Sequence, residues 1–268
     1  MQKKKSLGQH FLKSHSALDA LVGALDPTGL DIVLEIGPGE GVLTEKVLPL
    51  VAKVIALEKD SRLIPVLQEK FAQEIKDGRF DLIEGDALDF DTSILEKYDL
   101  KRFDFKLVGN IPYYITGALF KKFLSGPVQP STLVFLIQKE VAERIVRRKS
   151  AQGRSASGGK ESILSLSIKA YGTPTYIKTV PAGAFSPPPQ VDSAILAVNS
   201  ISRKNFPDTE HEEKFFALIK KGFAQKRKFL LSNLGKKEYA HILKKVGVSE
   251  KARAEDVPLE DWLKLSAL

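Results

Sequence analysis

The chain predicts an α/β fold: a Rossmann-like sheet with a small C-terminal α-helical domain. Three observations predict it. From Asp31 onward, short apolar strands alternate with amphipathic helical patterns, as in sheets with helices on both faces. The first of these strands, Ile32-Val33-Leu34-Glu35-Ile36, runs into a turn with glycine at 37, 39 and 41 and then into a helical pattern. After Ser200 the strand character fades and apolar residues recur at helical spacing: Phe215, Ile219 and Phe223, then Leu230, Leu231 and Leu234.

Taken in order, residues 1–12 form a basic arm ending in Ser6-Leu7-Gly8-Gln9-His10-Phe11-Leu12, a mixture suited to folding onto something else. A helix follows through Leu18, Leu21, Val22 and Leu25 and stops at Asp26-Pro27-Thr28-Gly29. The alternation then predicts a parallel sheet. It runs strand 32–36, helix 42–51, strand 53–58, helix 60–74, strand 80–84, helix 91–97, strand 104–109, helix 116–124, strand 132–137 and helix 138–148. A helix over 161–171 and strands over 174–179 and 192–199 complete it. The boundary is set at residue 200, with 1–200 as the sheet domain and its arm, and 201–268 as the helical domain. The Gly/Ser-rich stretch 150–160 reads as a mobile surface loop. It is not a P-loop, because Arg154 stands where the first glycine belongs and Glu161 follows the lysine.

Composition narrows the chemistry. There is no cysteine, so a disulfide, a thiolate nucleophile or a Cys-ligated zinc is excluded. Four scattered histidines give a metal site little to build on. The basic start is not followed by an apolar signal core, and no run approaches the ~20 apolar residues of a membrane span. The expectation is an intracellular, cytoplasmic protein without a membrane partner. The formal net charge of +8 suggests a polyanionic partner, most simply nucleic acid. Residues 201–268 carry fifteen Lys/Arg against ten Asp/Glu, and Lys226-Arg227-Lys228 is the cluster expected to meet phosphate.

The glycine turn lets a ligand approach backbone, because glycine tolerates positive φ and has no Cβ. The dinucleotide pattern G-x-G-x-x-G needs a third small residue at 42, where this chain has valine. That departure weakens a nicotinamide reading and fits S-adenosylmethionine, which has no pyrophosphate to cradle. Gly37 and Gly39 are the candidate cofactor glycines. Glu58, ending the second strand about twenty residues on, stands where an acid would bond ribose hydroxyls. Asp86 follows the third strand, where it can accept from an adenine amine, although the same position suits a turn or helix cap.

Asn110-Ile111-Pro112-Tyr113, after the fourth strand, is the most specific stretch. Methylating adenine N6 is difficult because its lone pair is delocalised into the ring. Two acceptors for the N6 hydrogens pull the nitrogen toward tetrahedral geometry. The Asn110 oxygen and a backbone carbonyl at Ile111 can supply them. Pro112 fixes the turn, and Tyr113 offers a stacking face to an extruded base. Phe185-Ser186-Pro187-Pro188-Pro189 is a stiff loop that can present Phe185 to the base's other face.

At these residues the chain resembles the ribosomal RNA adenine N6-dimethyltransferase family, most closely its bacterial small-subunit branch. The resemblance runs from about Leu7 to Val257 and includes Leu7-Gly8-Gln9-His10-Phe11-Leu12, Glu35-Ile36-Gly37-Pro38-Gly39-Glu40-Gly41, Asn110-Ile111-Pro112-Tyr113 and Phe185-Ser186-Pro187-Pro188-Pro189. It continues through Phe223-Ala224-Gln225-Lys226-Arg227-Lys228 and Arg253-Ala254-Glu255. It implies a class I S-adenosylmethionine-dependent methyltransferase sheet. It implies cofactor contacts at His10, Leu12, Gly37, Glu58, Asp86 and Asn110, and base handling by Asn110, Tyr113 and Phe185. His10 is a variation, since many members carry asparagine there. The expected reaction is dimethylation of N6 on two adjacent adenosines in a loop near the 3′ end of 16S rRNA in the small ribosomal subunit, by a monomer with a role in subunit biogenesis. The rivals are a large-subunit methyltransferase of the macrolide-resistance type, a non-catalytic assembly factor and, more distantly, a nicotinamide oxidoreductase.

Overall fold

A computed structural model describes residues 10–98, 100, 102, 104–146 and 160–268. The basic start of the arm and nearly all of the Gly/Ser stretch lie outside the described residues. The chain divides into two units: the residues up to Ala142 with Thr173–Ile201, and Glu143–Gly172 with Ser202–Leu268.

The first unit holds a seven-stranded sheet. In chain order its elements are β1 (Phe11–Leu12), α1 (His15–Leu25), β2 (Ile32–Ile36), α2 (Val42–Val47), β3 (Lys53–Glu58), α3 (Ile64–Lys70), α4 (Ala72–Lys76) and β4 (Phe80–Glu84). There follow β5 (Phe105–Asn110), α5 (Thr116–Ser125), β6 (Thr132–Gln138), α6 (Lys139–Val146, which runs into the second unit), β7 (Thr173–Val180), β8 (Phe185–Ser186) and β9 (Ser193–Asn199). The sheet order is β4-β3-β2-β5-β6-β9-β7. Strands β2 to β6 pair in parallel. Val33, Leu34, Val54, Ile55, Leu107 and Val134 are fully buried, because a parallel sheet is covered on both faces. The order reverses between β2 and β5. Ligands of open α/β sheets bind beyond the carboxyl ends of strands at such a point.

The structure departs from the expected parallel sheet at its end. β9 runs antiparallel to both β6 and β7. The segment between β7 and β9 contains no crossover helix over the sheet, and a strand that returns without one must pair antiparallel. That segment instead carries β8, which pairs antiparallel with β1 through Phe11–Ser186 and Leu12–Phe185. Phe11 and Leu12 are thereby held against Ser186 and Phe185.

Local chemistry sets the helix ends. The Ser14 side chain caps α1 by accepting from Ala17 N, and Asp26 closes it in the left-handed region at φ 48°. The expected helix 42–51 ends at Val47 and tightens into a 3₁₀ turn over Leu48–Leu50, because Pro49 lacks the N–H that would continue the ladder. The expected helix 60–74 begins only at Ile64 and breaks at Phe71, whose ring packs on Phe80 at 4.9 Å, before α4 resumes. The segment expected as helix 91–97 is a 3₁₀ turn over Thr92–Tyr98.

The second unit contains α7 (Ile163–Tyr171), α8 (Thr209–Gly222), α9 (Leu230–Leu234), α10 (Lys236–Val246) and α11 (Leu259–Ser266). Phe215, Ile219, Leu230, Leu234 and Trp262 are fully buried in it. In this division α7 groups with the C-terminal helices, whereas the sequence reading set the boundary at residue 200. Glu161 N donates to the Glu255 carbonyl at 2.7 Å, and Ser202 N to the Tyr171 carbonyl at 2.8 Å. Among the described residues no helix is long and apolar enough to cross a membrane.

Candidate active site

The site begins with the turn after β2. Gly37, Gly39 and Gly41 have φ of 69°, 61° and 77°, the left-handed region that disfavours a Cβ. At Gly39 a Cβ would also stand 3.0 Å from the Phe11 ring. The turn is tied down from the next strand: Gly37 N donates to the Leu57 carbonyl at 2.9 Å, and Gly39 N to Glu58 Oε2 at 3.0 Å. Glu58 Oε1 accepts from Asp60 N at 2.8 Å. Each carboxylate oxygen keeps a second lone pair for a ligand hydroxyl. Burial pushes the Glu58 carboxyl above its ordinary range, against the pull of these N–H groups.

Glu35 is the residue that the sequence reading leaves as a plain strand position. It is 1% exposed and accepts from Thr44 Oγ1 at 2.7 Å. Burial first, then the Glu58 charge, pushes its carboxyl up to about 7. The signal was present in the sequence: a carboxylate inside an otherwise apolar strand has to be satisfied by something. Asp86, beyond β4, behaves oppositely. Lys59 Nζ lies 2.5 Å from its Oδ2 and holds its carboxyl below the usual range, while Leu88 N donates to Oδ1 at 2.9 Å.

Asn110 ends β5. Its Nδ2 donates to the His10 carbonyl at 2.8 Å. Since a carbonyl only accepts, this bond fixes which way the amide faces and leaves Oδ1 as the acceptor. His10 is itself held, with Nδ1 donating to the Pro187 carbonyl at 2.8 Å. The Tyr113 hydroxyl meets Ser193 Oγ at 2.7 Å, its ring stacks 6.4 Å from His10, and burial pushes the hydroxyl up. Leu12 and Phe185 are 7% and 5% exposed and sit side by side in the β1–β8 pair.

One cavity gathers these groups. His10, Leu12, Gly37, Gly39, Glu58, Asp86, Asn110, Tyr113 and Phe185, nine residues singled out from the sequence, all line it. Glu35, Lys59 and Tyr114 line it too. Lys226, Arg227 and Lys228 are exposed between α8 and α9, in the other unit.

Over residues 1–268 the sequence matches the family described as "Ribosomal RNA adenine dimethylase". The chain belongs to this family. A family relative from Dehalococcoides mccartyi, "Ribosomal RNA small subunit methyltransferase A", is 39% identical over 99% of this chain and 88% of its own length. Among solved structures, a dimethyladenosine transferase from Plasmodium falciparum has a TM-score of 0.73 at 27% identity, covering 96% of each chain. The 23S rRNA methyltransferase ErmE has a TM-score of 0.74 at 24% identity, covering 96% of this chain and 98% of its own, and shares the fold.

The enzymes of the family use S-adenosylmethionine, and the cavity fits it chemically. Three carboxylates, Glu35, Glu58 and Asp86, line the same space. They suit ribose hydroxyls, an adenine amine, an ammonium and a sulfonium.

Proposed function

We propose that this enzyme transfers methyl groups from S-adenosylmethionine to N6 of two adjacent adenosines in a loop near the 3′ end of 16S rRNA, on the small ribosomal subunit. The observation that carries the reading is the Asn110 amide. It is locked by the His10 carbonyl with its oxygen left as acceptor, at the strand reversal where the glycine turn also lies. The cofactor supplies an electrophilic methyl group. The protein's part is positional.

Asn110 Oδ1 and the backbone of the following turn accept the two N6 hydrogens and turn the nitrogen lone pair outward. Pro112, at φ −58°, sets that turn. Tyr113 and Phe185 enclose the extruded base, with Tyr113 held in place by Ser193. Each transfer replaces one N6–H by N6–CH₃ and releases one proton to solvent. No general base is needed, because that proton becomes acidic only once the nitrogen is methylated. Leu12, His10 and the glycine turn wall the cofactor side, with Glu58 on the ribose and Asp86 on the adenine amine. Residues 201–268 bind RNA through Lys226, Arg227 and Lys228. The protein acts as a cytoplasmic monomer during small-subunit biogenesis. The small-subunit target is favoured by the family relatives, which carry that name at 33–39% identity.

The test offers labelled S-adenosylmethionine with undermethylated small subunits, large subunits and naked RNA, and separates the product nucleosides. N6,N6-dimethyladenosine in the small subunit alone is expected. Label in large-subunit RNA would overturn the target. No label, with the cofactor bound, would leave the assembly-factor reading.

A further inference from the structure

Two tyrosines follow Pro112 in the 3₁₀ turn over Tyr113–Ile115, and both line the cavity. Tyr113 is half-buried and anchored to Ser193. Tyr114 is 68% exposed and still lines the cavity, so it stands at the mouth. An aromatic ring exposed at the lining of a cavity presents a free stacking face. A cation, Lys59, stands near it, with the carboxylates of Asp86 and Asp89 acting on the same lysine. Lys59, half-exposed, pairs with Asp86 at 2.5 Å and lies within electrostatic reach of the Tyr114 hydroxyl. Asp86 feels Lys122 as well, and Lys122 donates to the carbonyl of Leu88, an exposed apolar residue, at 2.7 Å. An exposed ring beside the Lys59 ammonium matches a nucleotide: a base on the ring, a phosphate on the cation.

We infer that Tyr114 is the stacking platform for the nucleotide next to the adenosine in the cavity, and so holds the second target at the mouth while the first is modified. This rests on the methyl-transfer reading above. Both rings come from one short turn and line one cavity, so a nucleic-acid strand that delivers a base to Tyr113 brings its neighbour near Tyr114. Once the first adenosine leaves the cavity, the second is already docked at its entrance. Tyr114 is a positioning residue and touches no reacting atom.

The test compares Tyr114→Ala and Tyr114→Phe on undermethylated small subunits, measuring KM for the subunit, Kd for S-adenosylmethionine and, by mass spectrometry, the modification state of the adjacent pair. Tyr114→Ala should raise KM about 5- to 160-fold, the range of one lost base stack, with cofactor Kd unchanged. It should accumulate RNA in which only one of the two adenosines is dimethylated. Tyr114→Phe should restore both readouts, since a phenyl ring stacks equally well. Wild-type KM and product distribution in the Ala variant would overturn the inference. So would failure of the Phe variant, or a cofactor Kd that moves with KM. If the wild-type enzyme makes no dimethyladenosine, the reading of the reaction itself fails instead.

Discussion

Glu35 illustrates how one side chain shapes the behaviour of the whole site. Its carboxyl is buried in β2 and pushed up to about 7 from an ordinary 4.5. A folded-state value above the unfolded one means that the native state holds the proton more tightly. The resulting stability is fully present below about pH 4.5 and is lost as pH rises through 7. The size is ~3 kcal/mol at 1.36 kcal/mol per unit. Glu35→Gln should flatten the fall in unfolding free energy between pH 4.5 and 7.5, measured by urea denaturation at several pH values. An unchanged slope would place the proton elsewhere. At this scale the sequence was uneven. Gly37, Gly39, Asn110 and Tyr113 stand out because their residue types are unusual for a strand end. The Asn110–His10 bond does not, since it joins a side chain to a backbone carbonyl 100 residues away. Lys59 and Ser193 escape for the same reason: their partners are set by the fold, with no local pattern to announce them.

Among the elements, the legible ones are those with a strong period. The strands β2, β3, β5 and β6 and the buried faces of α1 and α8 follow from apolar spacing. The pairing of β1 with β8 does not, because two-residue strands have no period to read. Helix ends at Pro49 had a visible cause, and the break at Phe71 comes from tertiary packing that overrides a helical pattern. In the C-terminal unit, α8 and α11 meet at a contact that tolerates no added atom. A Cβ on Gly222 would lie 2.4 Å from the Trp262 ring, and that ring stacks on Phe223 at 5.9 Å. Gly222→Ala should cost about 1–3 kcal/mol through overpacking. A lowered urea midpoint checks it, and a wild-type midpoint would show that the two helices can part.

For the whole molecule, composition marks a change of character near Ser200, while α7 groups with the residues after it. Chain order and contact order differ here: Glu161 is placed by Glu255, and its carboxylate pairs with Lys169 at 2.8 Å. No composition window can see such a contact. Net charge, in contrast, is a whole-chain property read directly from the sequence, and its consequence is electrostatic. Association with RNA should weaken steeply with salt. Replacing Lys226, Arg227 and Lys228 together by glutamine should lower the slope of log K against log [salt] by about 2, at about 0.7 per phosphate contact on single strands. Titrations of the RNA at several salt concentrations would show it, and an unchanged slope would put the phosphate contacts on other cations.

Transfer at the cavity of the strand reversal depends on Asn110 as the acceptor that aims N6. The most direct measurement is single-turnover methyl transfer beside S-adenosylmethionine binding for Asn110→Ala. The expected rate is reduced at least about 100-fold, in line with removal of one preorganised polar group from an active site, with cofactor Kd changed by less than about tenfold. Transfer at the wild-type rate would contradict it.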